Sequence, residues 1–279
     1  MDQVFPTRGR LQLEMRIPAG SIRIKAEETT TTKLSISGER DTDDIRVVFD
    51  DARPDEQRLT IEHKDRGRRL GWRGNEIRVD LTVPIGTLVS CDTGSADLAI
   101  TGRIGSLDFR TGSGDVRFDD VDGEVDVKVA SGDLAGGNIG SRFSFISASG
   151  DARVRDVGGE VSGKSASGNF LVGTVSGSVQ VSTVSGDVEI GSVASGSTSV
   201  RSVSGDVEIG VARGTRVYLD LGSMSGETAS ELDMSDAASV GGGAGLELQV
   251  GTVSGDVRVV RAAAGAGERY AAEDSASSE

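Results

Sequence analysis

An acidic residue, replaced once by asparagine, recurs at a fixed interval along the chain, after a Ser-Gly pair or a close variant of it. It stands at Asp97, Asp115, Asp133, Asp151, Asn169 and Asp187, in a constant 18-residue repeat, and then at Asp206, Glu227 and Asp256 after longer steps. Coils stacked at roughly 4.8 Å would bring these side chains together at one corner. Carboxylates that close repel by about 1 kcal/mol in water. Either cations bridge them, or backbone N–H groups in each turn donate to them.

Asn169 favours the second arrangement. A neutral amide breaks the run of carboxylates that Ca²⁺ prefers, yet it accepts a hydrogen bond as a carboxylate does. We therefore predict a structural turn ladder and no metal site. Its predicted members are Asp97, Asp115, Asp133, Asp151, Asn169, Asp187, Asp206 and Asp256.

Other patterns of reactive residues are weak. His63 is the only histidine and Cys91 the only cysteine, and the many Ser-Gly pairs offer no singular nucleophile for a Ser-His-Asp site. Phosphate loops, zinc spacings and nicotinamide fingerprints do not occur. Asp119, Asp120 and Asp122 could imitate the carboxylates of polysaccharide-cleaving β-helices, but we expect a surface turn. The sequence predicts no catalytic residue, no cofactor and no enzymatic activity.

A basic loop interrupts this acidic chain between residues 64 and 73. It contains Arg66, Arg68, Arg69, Trp72 and Arg73, which include the only tryptophan. Two interpretations stay open: a docking loop for an anionic partner or lipid surface, and a solvated hairpin loop with the tryptophan folded down.

The apolar residues between the acidic positions predict the fold. If the acidic residue is position one, apolar residues occupy positions two, four, seven, eleven, thirteen and sixteen. In the fifth repeat these are Phe170, Val172, Val175, Val179, Val181 and Val184. Such a coil has two nine-residue strand units with glycine at the corners. The sequence therefore predicts an all-β, parallel β-helix-like solenoid with 18-residue coils.

Two other solenoids of similar coil length fit less well. A hexapeptide left-handed helix would place aliphatic residues at positions two, eight and fourteen, where this chain has Asp122 and Lys128 at the last two. A calcium-binding β-roll needs a Gly-Gly-x-Gly-x-Asp turn, which these units lack.

Three regions follow from the pattern. Residues 1–92 alternate with period two, without the 18-residue interval, and predict a β-meander that caps the solenoid. Residues 93–261 are the solenoid repeats, in which 246–259 form the last coil. Residues 262–279 are small, polar and acidic, and predict a disordered tail.

Charge and composition limit the partners and the compartment. The net charge is −14, and residues 93–279 hold 14 Lys and Arg against 27 Asp and Glu. Such a surface repels nucleic acid and anionic membranes. With one cysteine, no leader-like N-terminus and no long apolar run, we expect a cytoplasmic protein without a transmembrane segment.

One repeated phrase resembles a known family. Ser-Gly-Asp-Val-x-Ile/Val occurs at 185–190, 204–209 and 254–259, and Pro18–Ile24 and Pro84–Thr87 provide matching lead-ins. Over residues 10–260 the chain resembles the toastrack family of bacterial β-strand-repeat proteins, a domain of unknown function that carries the label putative adhesin. The resemblance implies parallel β-helical stacks and a link to cell-envelope stress or regulation, and it brings no catalytic residues.

The leading functional hypothesis is a non-catalytic scaffold that binds a protein partner. The alternatives are a surface adhesin for glycan or matrix, and a carbohydrate-active β-helix enzyme.

Overall fold

The computed structural model describes residues 1–38, 44–53, 55–63, 77–232 and 245–262. The described chain is all-β, and parallel pairing of coils confirms the predicted solenoid. Its contacts divide it into two compact units, residues 1–133 and 134–279.

The described residues of unit 1 form ten strands. They are β1 (Asp2–Pro6), β2 (Arg10–Glu27), β3 (Thr31–Ser37), β4 (Ile45–Asp50), β5 (Glu56–His63), β6 (Ile77–Pro84), β7 (Leu88–Ile104), β8 (Ser106–Ser113), β9 (Val116–Val121) and β10 (Val125–Ser131).

Two very long strands, β2 and β7, each run along both faces of unit 1. They pair in parallel from Gln12↔Leu88 to Lys25↔Thr101. Gly20, at φ 134°, lies within β2, where any Cβ would collide with the backbone of Ile77. Beyond β7 the faces separate into β8 and β10 on one side and β9 on the other. These pairings are parallel and keep the register of the sequence repeat, except in the β7–β9 pair, where the register shifts between Ile100 and Arg103.

The N-terminal strands differ from a simple meander. β2 pairs in parallel with β5 and β6, which belong to the solenoid faces. Only β1, β3 and β4 run antiparallel to their neighbours. The period-two pattern is the same for parallel and antiparallel strands, so it did not distinguish the two arrangements.

In unit 2, the part of the chain that the structure describes forms thirteen strands. They are β11 (Leu134–Ile139), β12 (Phe143–Ser149), β13 (Ala152–Val157), β14 (Val161–Ser167), β15 (Phe170–Val175), β16 (Val179–Ser185), β17 (Val188–Val193), β18 (Gly196–Ser204), β19 (Val207–Val211), β20 (Arg216–Ser225), β21 (Thr228–Ser230), β22 (Gly245–Ser254) and β23 (Val257–Arg261).

The strands of unit 2 form two faces of parallel strands. One face runs β12, β14, β16, β18, β22, β20, and the other runs β11, β13, β15, β17, β19, β23, β21. Partners keep the interval of the sequence repeat up to β17, where Val188 lies beside Phe170. The interval then lengthens by one residue from Val179 to Thr198, and much further from Thr198 to Leu248.

The order of the final coils differs from the prediction that 246–259 come last. β22 lies between β18 and β20, so the segment that is later in sequence occupies the inner layer. Similarly, β23 lies between β19 and β21. The outermost described coil of unit 2 is therefore residues 216–230.

The predicted inward orientation of one position of the repeat is also wrong. Position sixteen faces solvent, where Val184 is 54% exposed, and the preceding Thr183 is buried instead. Strand alternation from Val179 through Val181 continues to residue 183, so the apolar character of Val184 does not turn it inward. Position fifteen thus forms a column of mostly hydroxyl side chains, and the two nine-residue units of a coil are not equivalent.

Three phenylalanines fill the first coils of unit 2. The rings of Phe143, Phe145 and Phe170 lie with centroids 6.1–6.5 Å apart. Gly163 makes this possible, because a Cβ there would lie 2.9 Å from the ring of Phe170. The ring of Phe170 thus occupies space that a side chain at residue 163 would otherwise fill.

Glycine at the ladder corner is required by the approach of successive coils. Gly186 has φ 131°, and a Cβ on it would lie 2.2 Å from the carbonyl oxygen of Gly168. We predict that Gly186→Ala destabilises the protein by about 2 kcal/mol or more, through backbone strain and this collision.

Gly251→Ala is the matched control for this prediction, because Gly251 lies within a strand and a Cβ there meets nothing within 4 Å. Chemical denaturation of both variants measures the difference. Equal stabilities would contradict the corner argument.

Candidate functional site

The acidic ladder is a chain of hydrogen bonds between successive coils. In unit 1 the backbone N–H of Asp115 donates to Oδ1 of Asp97 at 2.9 Å, and that of Asp133 to Oδ1 of Asp115 at 3.0 Å. The donor belongs to the next coil along the chain, whereas the sequence argument placed it in the same turn. Each side chain thus links two layers.

The neutral rung behaves in the same way in unit 2. The N–H of Asn169 donates to Oδ1 of Asp151 at 2.8 Å, and the amide oxygen of Asn169 accepts the N–H of Asp187 at 2.9 Å. An oxygen acceptor is therefore sufficient at this position, and the charge is not required for the bond.

The ladder of unit 2 ends on Glu227. Asp187 accepts from Asp206, Asp206 from Asp256, and Asp256 from Glu227, at 2.8–2.9 Å. The spatial order of the last two rungs reverses their sequence order, as it does for the strands. Glu227, which the predicted ladder did not include, is its outermost described rung.

Basic side chains two residues after a rung reduce the repulsion along the ladder. Arg117 lies 3.9 Å from Asp115, and Arg153 donates to Asp151 at 3.0 Å. Within the described ranges, no three His, Cys, Asp or Glu side chains converge as ligands for a metal ion. That a turn-capping role explains the ladder remains our proposal.

An exposed row of apolar side chains lies beside the ladder in unit 2, and the sequence argument missed it. These are the position-sixteen residues Val184, Val203, Val253 and Met224, which are 54, 48, 45 and 84% exposed. The register aligns Ser185, Ser204, Ser254 and Ser225, so the residues before them are neighbours in that order. We call this row the apolar ridge.

The ridge was visible as apolar residues that recur with the period of the coil. The sequence pattern predicts that position sixteen faces the core, because it follows position seven by nine residues, the length of one strand unit. Position fourteen, with the basic side chains of Lys164 and Arg201, faces the same side of the sheet.

The acidic trio of unit 1 is held by its neighbours. Oδ2 of Asp119 accepts the N–H of Gly102 at 2.8 Å, in a β7–β9 pair whose register shifts there. Arg103 lies 4.0 Å from Asp120 and 3.7 Å from Asp122. These contacts occupy the carboxylates at a surface turn.

The candidate nucleophile of unit 1 is inaccessible. Cys91 is 2% exposed within β7, and its burial, with a smaller contribution from Asp92, raises the pKa of the thiol far above its ordinary value. A thiol in this state is a poor nucleophile. His63 ends β5, opposite Ile45 of β4.

The basic loop with Arg66, Arg68, Arg69, Trp72 and Arg73 lies outside the described residues. A shallow polar depression of unit 1 is closed by its own bonds: Gln12 donates to Glu56 at 2.6 Å, and Arg58 donates to Gln12 at 2.9 Å.

A comparison with protein families agrees with the repeat and the parallel coils described above. The family model described as Toastrack DUF4097 matches residues 11–260. The chain belongs to the toastrack family. Among the residues that the structure describes, this toastrack chain has no helix of the length and hydropathy that a membrane span needs.

Solved structures similar to this toastrack chain are distant in sequence. A putative adhesin from Bacteroides fragilis NCTC 9343 has 13% identity and a TM-score of 0.49, over 93% of this chain and 96% of its own. A putative lipid binding protein from Parabacteroides distasonis ATCC 8503 has 12% identity and a TM-score of 0.43, over 94 and 96%. No curated protein matches.

The ladder generates a test on Asp187. We predict that Asp187→Ala lowers stability by about 1 kcal/mol, because the N–H of Asp206 loses its acceptor. Asp187→Asn should retain most of the stability, as the natural Asn169 rung does.

Thermal unfolding of both variants, with Ca²⁺ and with a chelator, measures these effects. If the asparagine variant lost as much as the alanine variant, and Ca²⁺ raised the Tm only of the wild type, the ladder would be a cation site.

The buried thiol generates a second test. We predict that Cys91 reacts with a thiol reagent only when the protein is unfolded, because the native site excludes both reagent and thiolate. Ser90→Cys places a thiol at the adjacent, outward-facing residue and should react rapidly in the native state. Equal native rates for the two thiols would contradict the burial of Cys91.

Proposed function

We propose that this toastrack chain is a non-catalytic β-repeat scaffold that binds a protein partner through the apolar ridge of unit 2. The observation that carries the proposal is the continuous row of Val184, Val203, Val253 and Met224, at least 45% exposed, on a surface where polar residues would serve the fold equally well. Contiguous exposed apolar side chains mark interaction surfaces in soluble proteins.

The shape of the row supports this assignment. Neighbouring strands are about 4.8 Å apart, so the four side chains extend over roughly 15 Å. Earlier coils of unit 2 have Ala148 and Ala166 at the same position, and apolar size therefore increases toward the outer coils. A single exposed valine would carry no meaning, but aligned exposure in four adjacent coils favours a binding surface.

The surroundings of the ridge define the chemistry of the partner. One serine separates each ridge residue from the ladder corner, where Asp187, Asp206, Asp256 and Glu227 are exposed. A partner with an apolar strip beside basic side chains fits this pattern. Nucleic acid and anionic membranes fit it poorly, since the second half of the chain is strongly acidic.

A non-enzymatic role is part of the proposal. Two potentially reactive side chains are not available to a substrate: Asp119 accepts a backbone N–H, and the thiol of Cys91 is buried. Catalysis requires groups that are free to act on a substrate.

Location separates this proposal from an adhesin. We propose a cytoplasmic location, where the partner would be an intracellular protein. Fractionation of the source cells, with surface proteolysis, tests it directly. Recovery of the protein at the cell surface, with glycan or matrix binding that survives loss of the ridge, would favour the adhesin.

We predict that Val203→Glu/Val253→Glu abolishes partner binding, since it places two charges on adjacent rungs of the ridge. Gln180→Glu/Ser199→Glu is the matched control, because these residues are also cross-strand neighbours and face outward at position twelve. Quantitative affinity purification from source cells compares both variants with the wild type. A partner lost from the ridge variant and retained by the control is expected, and identical partner sets would overturn the proposal.

A further inference from the structure

The outermost coil of unit 2 has an unpaired edge within the described part of the chain. β20 pairs with β22 on one side, and no described strand lies on its other side. Its inward side chains Val217, Leu219 and Leu221 are only partly buried. Their counterparts one layer in, Leu246, Leu248 and Val250, are at most 2% exposed.

The backbone polarity of the edge is fixed by the stack. In each coil of unit 2 the N–H of an inward residue points to the next coil, as Phe143 donates to the carbonyl of Glu160 at 2.8 Å. By the same pattern, the N–H and C=O groups of the inward residues of β20 point to the open edge. They form a template for one more strand.

At the ladder corner, too, the outermost described coil has no further described coil to bond with. Each corner glycine donates to the serine of the next coil, as Gly255 does to Ser225 at 3.1 Å. Each rung accepts an N–H from the next coil, as Asp256 does from Glu227. By this pattern the N–H of Gly226 and the carboxylate of Glu227 are positioned to bond a further layer.

Devices that protect a sheet edge are sparse here. β20 contains no proline or lysine and pairs with β22 in unbroken register from Arg216 to Ser223. It exposes Tyr218 by 70% and Met224 by 84%. Long regular edges with exposed apolar residues bind added strands. The other face of the coil is less suited to this, because β21 is only Thr-Ala-Ser.

We propose that β20 binds an extended segment of a partner protein, which adds to its open edge as the next strand. The segment has apolar residues at alternate positions, to cover Val217, Leu219 and Leu221, and a net positive charge. A second copy of this chain is the poorer occupant, since pairing two edges would bring together two halves that each hold 14 Lys and Arg against 27 Asp and Glu. The edge meets the apolar ridge at Met224 of β20, but the variants that test the two surfaces change different residues, so either proposal can fail alone.

The experiment uses the full chain and a labelled peptide with the sequence of residues 179–190, flanked by lysines. This sequence forms a strand, corner and strand within unit 2, so its apolar spacing matches the coil. We expect saturable binding by fluorescence anisotropy. Hydrogen exchange should show fast amides at Val217, Leu219 and Leu221 in the free protein and slow ones with the peptide. The control is the same peptide with proline at the residue equivalent to Val181.

Two variants locate the binding. Leu219→Lys points a charge inward at the edge and should weaken peptide binding at least about tenfold, whereas Tyr218→Lys, which faces outward, should change it by less than about threefold. If Leu219→Lys fails to fold, Glu227→Ala serves instead and should weaken binding several-fold, with Glu227→Gln close to wild type.

Three results would overturn the proposal. Edge amides that already exchange slowly in the free protein, or equal affinity for the proline peptide, would mean that the edge is unavailable. A concentration-dependent dimer in sedimentation, abolished by Leu219→Lys, would assign the edge to a second copy.

Discussion

The close approach of backbone to backbone at the ladder corner determines most of this structure. At Gly132 and Gly186 a Cβ would lie 2.2 Å from the carbonyl oxygen of the glycine one coil earlier. Only glycine fits such a contact at positive φ, and the contact recurs at corner glycines such as Gly114, Gly132 and Gly186, although Ala96 stands at the first ladder corner. The corner therefore fixes where each coil bends. It also directs the N–H of the following residue along the stack, where the carboxylate of the preceding rung accepts it.

The composition of the core follows from this constraint. Layers held about 4.8 Å apart leave room for Val, Ile and Leu, and seldom for larger side chains. Position thirteen holds valine at Val127 and Val181, but glycine at Gly163, where the ring of Phe170 fills the space. Stability is thus distributed over many small contacts between adjacent coils.

The periodicity of the sequence predicted the coil, because the interval between repeats sets the number of residues in each coil. Coil length, two strands per coil and the acidic corner could all be read from the constant interval between repeats. The orientation of Val184 could not, since an apolar residue next to a corner fits either side of the turn, and backbone alternation decides in favour of Thr183. The residues of the apolar ridge therefore follow the same apolar period as the core residues, and the period alone does not distinguish the two.

The repeat does not predict the order in which the final coils stack, for a related reason. Nearly identical corner phrases give nearly identical edges, so sequence order does not specify which coil stacks on which. Burial does: β23 offers Val257 and Val259 at the inward positions where β21 offers Thr228 and Ser230. Placing the valines inside removes more apolar surface from water than the reverse order would. The exchange also leaves the hydroxyl side chains of β21 exposed at the outer layer, where water satisfies them, and leaves the partly buried side chains of β20 as the apolar part of that layer.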